Sequence, residues 1–161
     1  MDIISEQCHG FPPHLVSAVK RVKTTCDKLT AHLVAVIVKG GSIISWSSNL
    51  PKMNAYTAIM TDNPDCFSIH AEVAAIFRAR QKTDLRGCKM FVARITKDNK
   101  ITQSPGKIAL AMPCKTCARA IANYGIKRVI YTIGPNEFGT LNITDFGQRR
   151  RNMAAKKLPH S

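Results

Sequence analysis

The sequence predicts an α/β protein, a three-layer α/β/α sandwich built around a mixed, roughly five-stranded sheet. Three observations predict it. Helix-period and strand-like segments alternate in the order α-β-β-α-β-α-β-α, the pattern of a sheet covered by helices. The first two strand-like runs are separated only by Lys39-Gly40-Gly41, which reads as the turn of an antiparallel hairpin. The last strands are joined through a helix, and such a crossover makes them parallel, so the sheet is mixed.

The elements follow in order. The first residues, up to Pro12-Pro13, form an irregular arm (about 1–13). From His14 to about Leu29, the residues Leu15, Val19, Val22, Cys26 and Leu29 fall at helical spacing, with Lys20, Lys23 and Lys28 elsewhere on the wheel. His32 to Val38 and Ser42 to Ser47 are the hairpin strands. Asn49 to Ser68 carries Pro51, Asn54, Asn63 and Pro64, which marks a loop with one helical turn near residues 55–60. His70 to Arg80 is a helix: Val73, Ile76, Phe77 and Arg80 keep its spacing and alanines fill the rest. Ser68 stands where an N-cap belongs, although Ala71 three residues on denies it a capping box. Lys89 to Ile95 is a strand and Ile108 to Ala111 a further extended run. Cys114 to Tyr124 is a short helix ended by Gly125, and Arg128 to Thr132 is again a strand. A Gly/Pro/Asn turn then leads to a basic helical tail, about 145–161, through Arg149-Arg150-Arg151 to Lys157.

At 161 residues the chain fits one domain, residues 1–161, long enough to bury a core. It shows no repeat, no low-complexity segment and no Pro/Gly/Ser linker. No apolar run approaches a membrane span. Met1-Asp2-Ile3-Ile4-Ser5-Glu6 lacks a basic n-region, so a secretory signal is not expected and a cytoplasmic protein is. In that compartment six cysteines read as metal ligands and free thiols and not as a disulfide framework. The charge is lopsided: 24 Lys and Arg stand against 10 Asp and Glu, a formal net charge of +14. Such an excess suits phosphate-bearing partners, nucleotides or a polynucleotide backbone, and equally a solvated cationic surface; it speaks to partners and not to chemistry.

The chemistry is carried by two clusters, His70-Ala71-Glu72 and Pro113-Cys114-Lys115-Thr116-Cys117. One imidazole and two thiolates are three ligands of the kind zinc takes in a tetrahedral site, and three protein ligands leave a fourth position open, as catalytic zinc sites do. A closed structural site would need a fourth strong ligand, and none is obvious nearby. Each cluster heads a predicted helix, where partial positive charge and unpaired N–H groups favour thiolate. Glu72 can sit beside the open position without binding the metal, as a carboxyl that takes and returns protons must.

His-x-Glu followed by Pro-Cys-x-x-Cys is the signature of zinc-dependent base deaminases. The stretch Met112-Pro113-Cys114-Lys115-Thr116-Cys117-Ala118-Arg119-Ala120-Ile121, continued by Gly125-Ile126-Lys127-Arg128-Val129-Ile130-Tyr131, and the segment Ser68-Ile69-His70-Ala71-Glu72-Val73 resemble the cytidine/deoxycytidylate deaminase superfamily from about Leu33 to Thr132. The resemblance implies a cytidine deaminase-like fold, zinc on His70, Cys114 and Cys117, and Glu72 as proton shuttle. It also implies substrate contacts from Asn49, at the end of the second strand, and from the backbone N–H of Ala71 to the base carbonyl. Ser47-Ser48-Asn49-Leu50 replaces the Gly-Tyr-Asn-Gly motif of that family, which argues against regulation by nucleoside triphosphates. Met112 stands where tRNA adenosine deaminases carry glutamate.

The expected activity is hydrolytic deamination of a cytosine nucleotide, dCMP- or CMP-like, to its uracil form with release of ammonia. The alternatives are a nucleic-acid base deaminase, RNA or single-stranded DNA, aided by the basic surface, and a catalytically silent zinc fold, against which the intact Glu72 argues. Members of the family are often oligomers, so a homo-oligomer is the weaker expectation on assembly. Cys8, His9, Cys26, Cys66 and Cys88 show no ligand spacing for a second zinc site, and the cysteines among them are expected to be buried or idle thiols. Trp46 is expected in the core and Phe67 near the site, whereas Lys52, Asp62 and Asp65 receive no role.

Overall fold

Val34-Ala35-Val36-Ile37-Val38 is apolar at every position, and a strand of that kind needs cover on both faces. In the computed structural model, which describes residues 4–25, 32–50, 69–96 and 106–143, it forms the middle of β1 (His32–Lys39). Val34, Val36 and Val38 turn to one face, with Phe91, Ala93 and Ile95 of β3 (Lys89–Ile95). There α1 (Pro13–Thr25) covers them with Leu15, Ala18, Val19 and Val22. Ala35, Ile37, Met90, Val92 and Val129 turn to the other face. Ala71, Ala75, Ile76 and Ala79 of α2 (Ala71–Arg80) and Ile121 of α3 (Lys115–Asn123) close that side. The expected three layers are present. Each large apolar side chain buried in them contributes about 1.5–3 kcal/mol.

Strand β2 (Ser42–Ser48) pairs antiparallel with β1, and β1 with β3. β3 pairs parallel with β5 (Arg128–Gly134), as the helical crossover requires. The sheet is therefore mixed, in the order β2-β1-β3-β5-β6, with the two-residue β4 (Ile108–Ala109) on the end of β3. All five expected strands are found, β4 two residues shorter than the extended run Ile108–Ala111. A sixth is added. β6 (Glu137–Asn142) returns antiparallel along β5 after Pro135-Asn136, where Asn136 takes a φ of 58°. It is an edge strand with a polar, mostly exposed face, and so lacks the apolar alternation by which strands are read. Gly139 within it lies under the Tyr131 ring, where a Cβ would meet ring atoms at 2.7 Å.

The N-terminal arm is more ordered than expected. A 3₁₀ turn, Ser5–Gln7, precedes α1. The Gln7 side chain accepts the Ile108 N–H at 2.8 Å, the Gln7 carbonyl accepts the Asn136 N–H at 2.7 Å, and Asn136 Oδ1 accepts the His9 N–H at 2.8 Å. Trp46 is half-buried against the α1 face, with the Arg21 guanidinium 5.3 Å from its ring centre. No described helix is long and apolar enough to cross a membrane. The expected loop over residues 51–68, with Ser68, Phe67, Lys52, Asp62, Asp65 and Cys66, lies outside the described residues. So do Cys26, Leu29 and the basic tail from residue 145 on.

Candidate metal centre and active site

Strands β2, β3 and β5 run in one direction, and the site forms at their carboxyl ends, the usual place for ligands in an α/β sheet. At the end of β2, Leu50 and Ile69 exchange backbone hydrogen bonds of 2.9 and 3.1 Å. This pairing brings Asn49 beside His70 although 20 residues separate them in sequence. His70 is the N-cap of α2, with extended backbone angles and its carbonyl accepting the Ala74 N–H at 3.0 Å. The N-cap position expected for Ser68 thus belongs to His70. Its side chain makes no cap bond, which leaves the imidazole to turn outward from the helix start.

The second limb starts where β4 ends. Pro113 is buried, and Cys114 is the N-cap of α3, its carbonyl accepting the Ala118 N–H at 2.8 Å and its sulfur the Cys117 N–H at 3.5 Å. At the far end Gly125, with φ +75°, and Ile126 close α3 through bonds to the carbonyls of Ala122 and Ile121 at 3.1 and 3.3 Å. That is the paired C-terminal arrangement a left-handed glycine permits, and it confirms Gly125 as the helix stop. α2 and α3 touch through Ile69, Val73, Ala74, Cys117 and Ala120. The contact brings the start of the cysteine helix up to His70.

The two limbs converge. His70 Nδ1 is 3.2 Å from Cys117 Sγ and 3.7 Å from Cys114 Sγ. All three ligand atoms lie within 4.8 Å of one another. A tetrahedral zinc with Zn–S of about 2.3 Å and Zn–N of about 2.0–2.1 Å holds nitrogen and sulfur about 3.5 Å apart, so the donor set and its spacing fit that ion. Nδ1 is the nitrogen facing both sulfurs. Among the described residues this is the cluster able to hold a metal, and Cys8, His9 and Cys88 take no part in it.

The electrostatics agree with the geometry. Hydrogen bonds from Cys117 and then from His70 hold the Cys114 thiol down to about 3, against the opposing effect of burial. The Cys114 hydrogen bond raises the His70 imidazole. Glu72 is buried, only 4% exposed. Burial pushes its carboxyl up, offset in part by its own backbone N–H, by the His70 charge and by a hydrogen bond with Cys117. The carboxyl therefore belongs to the site without being among the three clustered ligands.

Asn49 Oδ1 accepts the Ala71 N–H at 2.9 Å. The side chain just after β2 thus caps the first N–H of the histidine helix, a bond that the sequence did not disclose. With Oδ1 so engaged, the amide nitrogen is the end of Asn49 that can donate to a ligand. Two further buried hydroxyls escaped notice. Ser45 Oγ donates to the Ala75 carbonyl at 2.8 Å, fastening α2 to β2, and Thr132 is fully buried between strands.

The sequence profile of the cytidine and deoxycytidylate deaminase zinc-binding region matches residues 12–133. The chain belongs to this family. As a member of it the protein is a zinc-dependent deaminase, a hydrolytic enzyme, and His70, Cys114 and Cys117 are placed to hold its metal. Among solved structures, the dCMP deaminase of cyanophage S-TIM5 with dCMP and dUMP is 22% identical. The likeness covers 73% of this chain and 76% of that one, with a TM-score of 0.47. A structure from work on A-to-I editing by tRNA:A34 deaminases at the wobble position is 23% identical over 73% of each chain, with a TM-score of 0.44. A Thermotoga maritima diaminohydroxyphosphoribosylaminopyrimidine deaminase/reductase is 25% identical over 73% of this chain and 29% of that one, with a TM-score of 0.43. No curated protein sequence matches.

Proposed function

We propose that this deaminase acts on a cytosine nucleotide, dCMP- or CMP-like, converting it to the uracil form with release of ammonia. The observation that carries the reading is the buried Glu72 carboxyl, two residues after His70 in the same helix start and outside the His70–Cys114–Cys117 triad. His70, Cys114 and Cys117 would hold zinc, which when bound makes a water acidic enough to ionise near neutral pH.

The chain's own residues do the rest. Glu72 takes a proton from the attacking water and delivers it to the ring nitrogen next to the amino-bearing carbon, while the oxygen bonds to that carbon. Glu72 then passes the remaining hydroxyl proton to the amino group; the carbon–nitrogen bond breaks, ammonia leaves and the carbonyl forms. One water is consumed and one ammonia released, so the carboxyl ends as it began. Burial serves this role, because a carboxyl lifted from its ordinary range is a stronger base as carboxylate and takes the water's proton more readily. Asn49 orients the nucleoside through its amide nitrogen. The Ala71 N–H, the expected donor to the base carbonyl, reaches substrate only by exchanging its bond with Asn49 Oδ1.

A second reading has one observation in its favour. The net charge of +14 suits a polynucleotide substrate, with the target base unpaired or flipped out. Steady-state assays on dCMP, CMP, cytidine and a short cytosine-containing oligonucleotide separate the two. Turnover of the monophosphates with none of the oligonucleotide supports the nucleotide reading. Turnover of the oligonucleotide alone, with a salt slope indicating several phosphate contacts, replaces it.

A further inference from the structure

We propose that Thr132 is a positioning residue for the two-cysteine limb of the metal centre, a proposal that rests on the zinc-site reading above. Strands β3 and β5 pair as parallel neighbours from Lys89↔Arg128 to Val92↔Tyr131 and then part. The segment that leads to the cysteines enters the gap. Ile108 and Ala109 pair with Ile95 and Arg94 of β3, and two residues later the Ala111 N–H donates to the Thr132 carbonyl at 2.9 Å.

The Thr132 hydroxyl sits in the fork. It donates to the Ala109 carbonyl at 2.8 Å and accepts the Arg94 N–H at 3.2 Å, in a residue with 0% exposure. Where two strands separate in a dry interior, each would expose donors and acceptors that have lost their partners. Here the β5 side chain satisfies a donor of β3 and an acceptor of the inserted segment, while its own carbonyl is satisfied by Ala111. Ala111, Ile108 and Pro113 are themselves buried. Cys114 follows Ala111 by three residues, a length that spans at most about 11 Å, so the anchor leaves little slack before the first sulfur. A metal centre demands ligand atoms within a few tenths of an ångström. The hydroxyl bonds of Thr132 go to Arg94 and Ala109, neither of them a residue of the metal triad, so it acts through the backbone it holds.

The test compares T132V, which keeps the shape and removes both hydroxyl bonds, with T132S, which keeps the hydroxyl. Zinc dissociation constants are measured by chelator competition on purified apo-protein. The proposal expects T132V to bind zinc roughly tenfold more weakly, T132S to stay within threefold of wild type, and exchange of the Ala111 amide to quicken in T132V alone. A merely structural threonine would lower the unfolding midpoint of apo and zinc-loaded forms alike and leave the dissociation constant unmoved. Folded T132V with wild-type zinc affinity overturns the proposal. If T132V does not fold, T132A, which also removes both hydroxyl bonds, takes its place: a roughly tenfold loss of zinc affinity in the folded variant supports the hydroxyl's role, and wild-type affinity overturns it. Wild-type protein that takes up no zinc removes the metal site itself, an outcome distinct from both.

Discussion

Replacing Glu72 by glutamine isolates proton transfer from everything else the residue does. The amide has the same shape in a position only 4% exposed, and it retains an oxygen to accept from Cys117. It cannot carry a proton between water, ring nitrogen and leaving ammonia. A positioned acid–base group is worth about 10²–10⁴ in rate, or about 2.7–5.4 kcal/mol at 1.36 kcal/mol per decade. Because both proton deliveries use this one carboxyl, E72Q is expected near the upper end, a fall of about 10⁴ in kcat. Stability should not fall with it. Burial already disfavours the charged carboxylate, so a neutral amide leaves the unfolding free energy within about 1 kcal/mol of wild type. Zinc content should also stay full, since the ligand atoms are those of His70, Cys114 and Cys117. The assay is single-substrate turnover with metal content and urea unfolding measured on the same preparation. A fully zinc-loaded E72Q turning over within threefold of wild type would refute the shuttle.

Three further outcomes follow from the same geometry. C114A is expected to lose the response of its unfolding midpoint to added zinc, whereas wild type gains about 4 kcal/mol at a thousandfold excess over Kd; an equal gain in both would remove Cys114 from the ligand set. G125A should cost about 1–2 kcal/mol in urea unfolding, because alanine is strained at φ +75° and its Cβ would meet Arg86 Cγ at 2.7 Å, and a change below about 0.3 kcal/mol contradicts the helix-stop argument. Asp84 is held down to about 2 by the Arg86 guanidinium and then by the Arg86 backbone N–H. Its folded value lies below the ordinary 3.8, so its contribution is present above that pH and is lost as pH falls through about 2. A carbon-detected titration of its carboxyl should give a midpoint near 2 that climbs toward 3.8 in R86A, and a wild-type midpoint near 4 would dissolve the pair.

The residues legible in the sequence are those whose role is local. β1 could be read because an unbroken apolar run needs cover on both sides, and α2 because its spacing repeats every turn. The ligands could be read because His70, Cys114 and Cys117 are chemically conspicuous and lie at the starts of two helices, His70 and Cys114 as their N-caps. What escaped is what joins distant segments. Asn49 to Ala71, Ser45 to Ala75 and Thr132 to Ala109 are single hydrogen bonds spanning 22, 30 and 23 residues, and a serine or threonine in a strand carries no periodic mark of its partner. The shortening of β4 has the same origin: Ala111 leaves β3 for the Thr132 carbonyl, a choice made by the neighbouring strand and not by the segment's own composition. β6 was hidden for the opposite reason, since an exposed edge strand needs no apolar face. The consequence for the site is specific. The sequence names the atoms that can bind zinc, but their distances of 3.2 and 3.7 Å are set by the contact between α2 and α3 and by the buried hydroxyls beneath them. A variant that spares all four conspicuous side chains can therefore still undo the centre.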